Sequence, residues 1–176
     1  QRAYEHKRFS GLYYTPQMIV NGKFQTLGHK RANAFDAINR SLKLPAKVAV
    51  SVRHAKKEDG TLAVNACTLG KFENAALCVA LVEHGIQRRI TGGENKGRKL
   101  SMDTVVLEFK CVELAGPVGY EFTFDLKQVP GGKRRNLGAV AFVQRTDNMD
   151  MLGAQSTRIH WQPGEKPDKE PSREFE

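Results

Sequence analysis

The chain has 176 residues, 40% of them apolar and 27% charged, a balance that suits a soluble globular protein and excludes disorder of the whole chain. No apolar stretch approaches the roughly 20 residues that a spanning helix requires. Lys and Arg outnumber Asp and Glu by 28 to 19, a formal net charge of +9, but the basic residues stand in short groups at expected turns and helix surfaces with few aromatics among them. Solvated charge is therefore favoured over a nucleic-acid interface.

Gln1 to Phe9 is polar and basic, with Tyr4 and Phe9 too sparse to define a buried face, and reads as the last turns of a helix. The chain opens on Gln1 rather than Met, which points to a processed product or a fragment. Next comes YTPQMIVNG: Thr15-Pro16, a short apolar run from Met18 to Val20, and Asn21-Gly22, a strong hairpin signal before a second strand, Lys23 to Leu27. Proline lacks an N–H, so within a sheet it is confined to edges, bulges and strand starts; an ordinary trans proline at a strand start accounts for Pro16, and a cis bond is the alternative. After Gly28, apolar residues at Ala34, Phe35, Ile38 and Leu42 have the spacing of an amphipathic helix that ends before Pro45.

From Ala46 to about Thr157 the period changes to two. Val48, Val50 and Val52 alternate with other residues, as do Leu62, Val64 and Ala66, then Leu77, Val79 and Leu81, then Val105, Leu107, Phe109 and Cys111, then Tyr120, Phe122, Phe124 and Leu126. Ala139 to Val143 and Met149 to Ala154 add shorter runs. Seven or eight strands joined by turns such as Glu58-Asp59-Gly60, Gly116-Pro117 and Pro130-Gly131-Gly132 predict an antiparallel β-sandwich over 46–158. The remainder, 159–176, is rich in proline and charge and reads as a disordered polar tail, with Trp161 able to dock on the sandwich.

Three features bear on chemistry. TGGENKGRKL has two readings: an anion-binding loop formed by Gly92, Gly93, Asn95, Lys96 and Arg98, or, the reading favoured, a structural loop in which Glu94 or Asn95 bonds backbone groups at a sharp corner between the two sheets; neither a P-loop ending nor a helix follows, which argues against nucleotide binding. Cys67 and Cys78 flank an expected turn at Gly70 to Glu73 and either form a cross-strand disulfide or remain thiols; Cys111, on an apolar face, reads as a buried inert thiol. The five histidines show no metal-ligand spacing and there is no Gly-x-Ser-x-Gly elbow, so no catalytic residues, metal site or cofactor are assigned.

Taken in order, QRAYEHKRF, YTPQMIVNG and, downstream, ITGGENKGRKLSMDTVV resemble a secreted bacterial thioredoxin-like family of unknown function that joins such a domain to a C-terminal β-sandwich. The resemblance implies an α+β fold in which residues 1–45 are the C-terminal half of a thioredoxin-like domain (helix, cis-Pro, β-hairpin, helix), with the CxxC half missing from this chain. It further implies a cis Thr15-Pro16 bond, with Thr15 and Pro16 forming a substrate-binding wall, and a periplasmic or secreted location. Thiol-disulfide oxidoreductase activity follows only if a CxxC lies upstream, because the chemistry requires a thiolate of lowered pKa at a helix start. The partner is then a protein disulfide substrate, and another chain or segment completes the fold. The alternative is a non-enzymatic accessory or assembly subunit whose β-sandwich binds another protein.

Overall fold

The computed structural model describes residues 2–9, 14–56, 61–127 and 136–159. The turns expected at Glu58 to Gly60 and Pro130 to Gly132, and the tail with Trp161, lie outside these residues.

A short helix, α1 (Arg2–Tyr4), runs into a π-helical segment, Glu5–Phe9. Strands β1 (Gln17–Val20) and β2 (Phe24–Leu27) pair antiparallel, and the turn closes through Lys23 N donating to Val20 O at 3.0 Å. Asn21 (φ 48) and Gly22 (φ 70) are both left-handed, as a tight hairpin of this hand requires. The turn lies directly on the chain near Met149: Met151 N donates to Asn21 O at 3.1 Å, and a Cβ on Gly22 would stand 1.8 Å from Met149 O. Only glycine fits there.

Helix α2 (Arg31–Leu42) covers the hairpin with Ala37 and Ser41, while Ala34 and Ile38 are half-buried. Phe35 and Leu42, expected on the buried face, are exposed. Close approach explains this rotation: Asn21 Nδ2 donates to Ser41 Oγ at 2.5 Å, which brings small residues rather than large ones against the strands.

Seven further strands form two sheets. One has the order β3-β4-β7, from Ala49–Lys56, Thr61–Leu69 and Gly119–Asp125; the other has the order β6-β5-β8-β9, from Lys99–Leu114, Ala75–Arg89, Leu137–Arg145 and Met151–Arg158. All their pairings are antiparallel. The sheets share one core containing Val48, Val52, Leu62, Val64, Leu77, Val79, Leu81, Phe124, Ala139, Val143 and Leu152. Ile159, the first residue of the span expected as tail, belongs to it as well, bonded through its N–H to Leu137 O at 2.9 Å.

The expected α+β class with a partial thioredoxin-like unit is overturned. The described chain is mostly antiparallel β in three sheets, with nine strands against two short helical stretches. The β1–β2 hairpin is a two-stranded sheet of its own, joined to no central mixed sheet. Its turn rests instead on the β8–β9 end of the sandwich through Met151 N donating to Asn21 O, and the N-terminal helical segment docks at the same end: Gln144 Nε2 donates to the Tyr4 hydroxyl at 2.6 Å, Lys7 Nζ to Thr146 O at 2.5 Å, and Arg8 pairs with Asp150 at 3.1 Å. Element order along the chain suggested the resemblance; strand pairing decides against the class.

Candidate functional site

The most distinctive surface is the outer face of the four-stranded sheet. On β5, Ala75, Leu77, Val79 and Leu81 face the core, so Ala76, Cys78, Ala80 and Val82 face outward. Cys78 is nonetheless only 3% exposed, and Ala80 and Val82 are buried too. Neighbouring strands provide the cover. Cys78 stands opposite Cys111 on β6 and Phe142 on β8; Ala80 stands opposite Phe109 and Val140; Val82 stands opposite Val106 and Gly138. The Phe109 and Phe142 rings reach across the small β5 residues and stack with centroids 5.8 Å apart. Phe109 stays 52% exposed and Val106 57%, leaving an apolar, ring-capped patch on the outside of the sheet.

A β-bulge creates this face. Leu81 pairs with Glu108 and Val82 with Val106, so Leu107 is an extra residue on β6 and the alternation reverses there. Leu107, Val112 and Leu114 pack against the core, whereas Phe109 and Cys111 turn outward. Unbroken alternation would have placed Phe109 and Cys111 inside with Leu107. One signal of the face was present in the sequence: AALCVALV is apolar at successive positions, the mark of a strand covered on both sides.

The same bulge corrects the cysteine assignment. Cys78 bonds to Cys111, with Cα atoms 4.1 Å apart, and Cys67 is free and exposed. Of the two readings left open for Cys67 and Cys78, the bridge between them is not formed, because β4 and β5 belong to different sheets and the two side chains point away from opposite sides of the sandwich. Cys111, expected as an inert buried thiol, is the partner.

The other proposed residues are scattered. Thr15-Pro16 is cis and exposed; Pro16 O accepts from Gly28 N at 2.7 Å, which closes the open end of the hairpin. Gly92, Gly93, Asn95, Lys96 and Arg98 lie together at the far end of the β5–β6 hairpin, all exposed, so the loop joins neighbouring strands of one sheet rather than turning a corner between two as expected. There Lys96 N donates to Gly93 O, Gly97 N to Ile90 O and Arg98 N to Asn95 O, and Arg98 Nη1 reaches Asn95 Oδ1 at 3.2 Å. These amides serve the loop itself, so its capacity for anions rests on its cationic side chains. A cleft of about 420 Å³ between the π-helical segment, β2 and α2 is lined by Phe9, Phe24, Asn33, Asp36 and Arg40; Arg40 lies over the Phe24 ring at 4.7 Å. Among the described residues no three His, Cys, Asp or Glu side chains gather as a metal site, and no helix is long and apolar enough to cross a membrane.

At the β8–β9 turn, Arg145 grips Asp147 through Nε at 2.8 Å and through a second guanidinium nitrogen. That hydrogen bond pulls the Asp147 pKa down to about 2 and raises that of Arg145. The pair sits on the turn that receives the hairpin and fixes the turn's shape.

A family model described as Protein of unknown function (DUF1223) matches residues 1–144. No curated protein matches. The chain is similar to a crystal structure of a protein from Agrobacterium tumefaciens, with 18% identity and a TM-score of 0.57 over 96% of this chain and 72% of that one, a likeness of fold alone. It is also similar to a domain of the outer membrane lipoprotein Omp28 from Porphyromonas gingivalis (14% identity, TM-score 0.44, covering 65% of this chain and 97% of that one). A third likeness is to a beta-glucosidase from Kluyveromyces marxianus (12% identity, TM-score 0.32, covering 66% and 14%). At TM-scores this low, the last two bear on nothing that follows.

Proposed function

The chain belongs to the DUF1223 family of proteins of unknown function, and from its surface we propose that it is a non-enzymatic accessory or assembly subunit that binds another protein through the outer face of its four-stranded sheet. The observation that carries this reading is the Phe109–Phe142 stack above the Cys78–Cys111 bond, bordered by exposed Val106. Aromatic rings held by a rigid sheet lose little entropy on docking, which is why such groups dominate protein interfaces. The disulfide favours an oxidising compartment, such as a periplasmic or extracellular one.

The redox reading requires a reactive thiolate at a helix start. Here the two bonded cysteines lie at paired positions on strands, where the bond braces the sheet instead. The sheet face is therefore the better-supported functional surface.

A photoreactive residue placed at Val106 in the full protein, expressed in its native cells, tests the proposal. The reading expects one discrete adduct with a second protein, lost when Phe109→Ser and Phe142→Ser are added and not formed from a probe at Asn33 on α2. Equal adducts from both probe positions, or only an adduct with a second copy of this chain, would overturn it.

A further inference from the structure

Among the described residues, strands β5 and β6 continue past the rest of their sheet. β8 pairs with β5 only as far as Glu83↔Leu137, whereas β5 and β6 stay paired through Arg89↔Lys99. Residues 84–89 and 99–104 thus form a two-stranded arm, about 20 Å long at some 3.3 Å per residue. Its end is closed by Gly97 N donating to Ile90 O at 2.8 Å and Ile90 N to Arg98 O at 2.9 Å.

Charge concentrates at that end. Between Arg88 and Leu100 there are five cations, Arg88, Arg89, Lys96, Arg98 and Lys99, against one carboxylate, Glu94, a net +4 out of the chain's +9. All five are exposed. Asp103 lies further back, and His84 at the root of the arm faces Thr104 at 3.1 Å. Successive strand residues point to opposite faces, so Arg88 lies on one face and Arg89 with Lys99 on the other, while Lys96 and Arg98 stand in the loop between; the cations surround the tip rather than line one side.

That distribution selects the partner. A peptide strand or a single ion would meet only one side of the ring, and the loop amides at 96, 97 and 98 are already used internally. A plane of anionic groups met end-on engages every cation at once. Nucleic acid fits the charge but not the oxidising compartment that the Cys78–Cys111 bond favours. Leu100, 37% exposed at the base of the ring, offers an apolar contact at headgroup depth. We propose that the tip of the β5–β6 arm seats the protein on an anionic lipid surface, leaving the apolar face of the sheet free for its partner. Each cation near such a surface contributes about fivefold in partitioning, and salt screens the effect.

The test is co-sedimentation of the full chain with phosphatidylcholine vesicles, with and without phosphatidylglycerol. The wild type is expected to bind only the anionic vesicles, with affinity falling steeply as salt rises. Arg88→Ser with Arg89→Ser, Arg98→Ser and Lys99→Ser is expected to lose about a hundredfold or more. Removing four exposed lysines elsewhere (Lys30, Lys43, Lys47 and Lys71 to Ser) should cost only a few-fold. The two-site reversal Lys96→Glu with Lys99→Glu gives the same readout if the fourfold arm variant does not fold. Equal losses for arm and control variants would reduce the effect to net charge and overturn the proposal. Tighter arm-dependent binding to an oligonucleotide or to polyglutamate than to vesicles would overturn it as well.

Discussion

Removing the Cys78–Cys111 bond offers a sharp test of the strand pairing. The bond spans a sequence separation of 33, and closing a loop of that size in the unfolded chain corresponds to about 4 kcal/mol of stabilisation. Cys78→Ala with Cys111→Ala, or reduction of the wild type, should therefore lower the unfolding free energy by roughly that amount in urea titrations. Cys67→Ser, at an exposed position bonded to nothing, should change it by less than about 0.5 kcal/mol. If the bond instead joined Cys67 to Cys78, the closed loop would be about 11 residues and Cys67→Ser would cost about 3 kcal/mol. A large loss from Cys67→Ser, or a Cys67–Cys78 peptide in a non-reducing digest, would refute both the register of β5 against β6 and the bulge that turns Cys111 outward.

Phe124→Ala, at a side chain with no exposure in the centre of the core, should cost about 3–5 kcal/mol by denaturant unfolding; a loss under about 1 kcal/mol would mean that β7 does not close the sandwich. Gly22→Ala places a Cβ 1.8 Å from Met149 O at a residue with φ 70, so the hairpin should lift from the β8–β9 turn. Faster hydrogen exchange at the Met151 amide, which donates to Asn21 O, would report this, and unchanged protection would count against the docking. Arg145 holds Asp147 at about 2, below its ordinary 3.8. Because folding lowers this pKa, the pair's contribution is complete above about 4 and disappears as pH falls through about 2. Asp147→Asn should therefore flatten that part of the acid-stability profile, and Arg145→Leu should return the Asp147 carboxyl titration, followed by NMR, to the ordinary carboxylate range.

Much of the core was legible from alternation alone. Val48, Val50 and Val52, Leu62, Val64 and Ala66, and Leu77, Val79 and Leu81 all turn inward, because a period of two sends the larger apolar side chains of each strand to one face. The β1–β2 turn was equally readable, since Asn21-Gly22 is suited to consecutive left-handed residues. Local patterns fail where the outcome depends on a neighbour. The face of α2 that turns inward is set by how closely Ser41 approaches Asn21, and periodicity alone favoured Phe35 and Leu42.

The binding surface shows the same division. Its apolar residues were visible in AALCVALV and in Phe109, but not that β6 carries an extra residue at Leu107, nor that β8 rather than β4 would lie beside β5. The sequence by itself determined which segments become strands, where the first hairpin turns and which end of the β5–β6 hairpin is basic, because these follow from side-chain period, backbone freedom and charge along a few adjacent residues. Tertiary structure alone decided the fold class, the partner of Cys78 and the outward turn of Phe109, because each depends on which distant strand supplies the opposing hydrogen bonds and in what register.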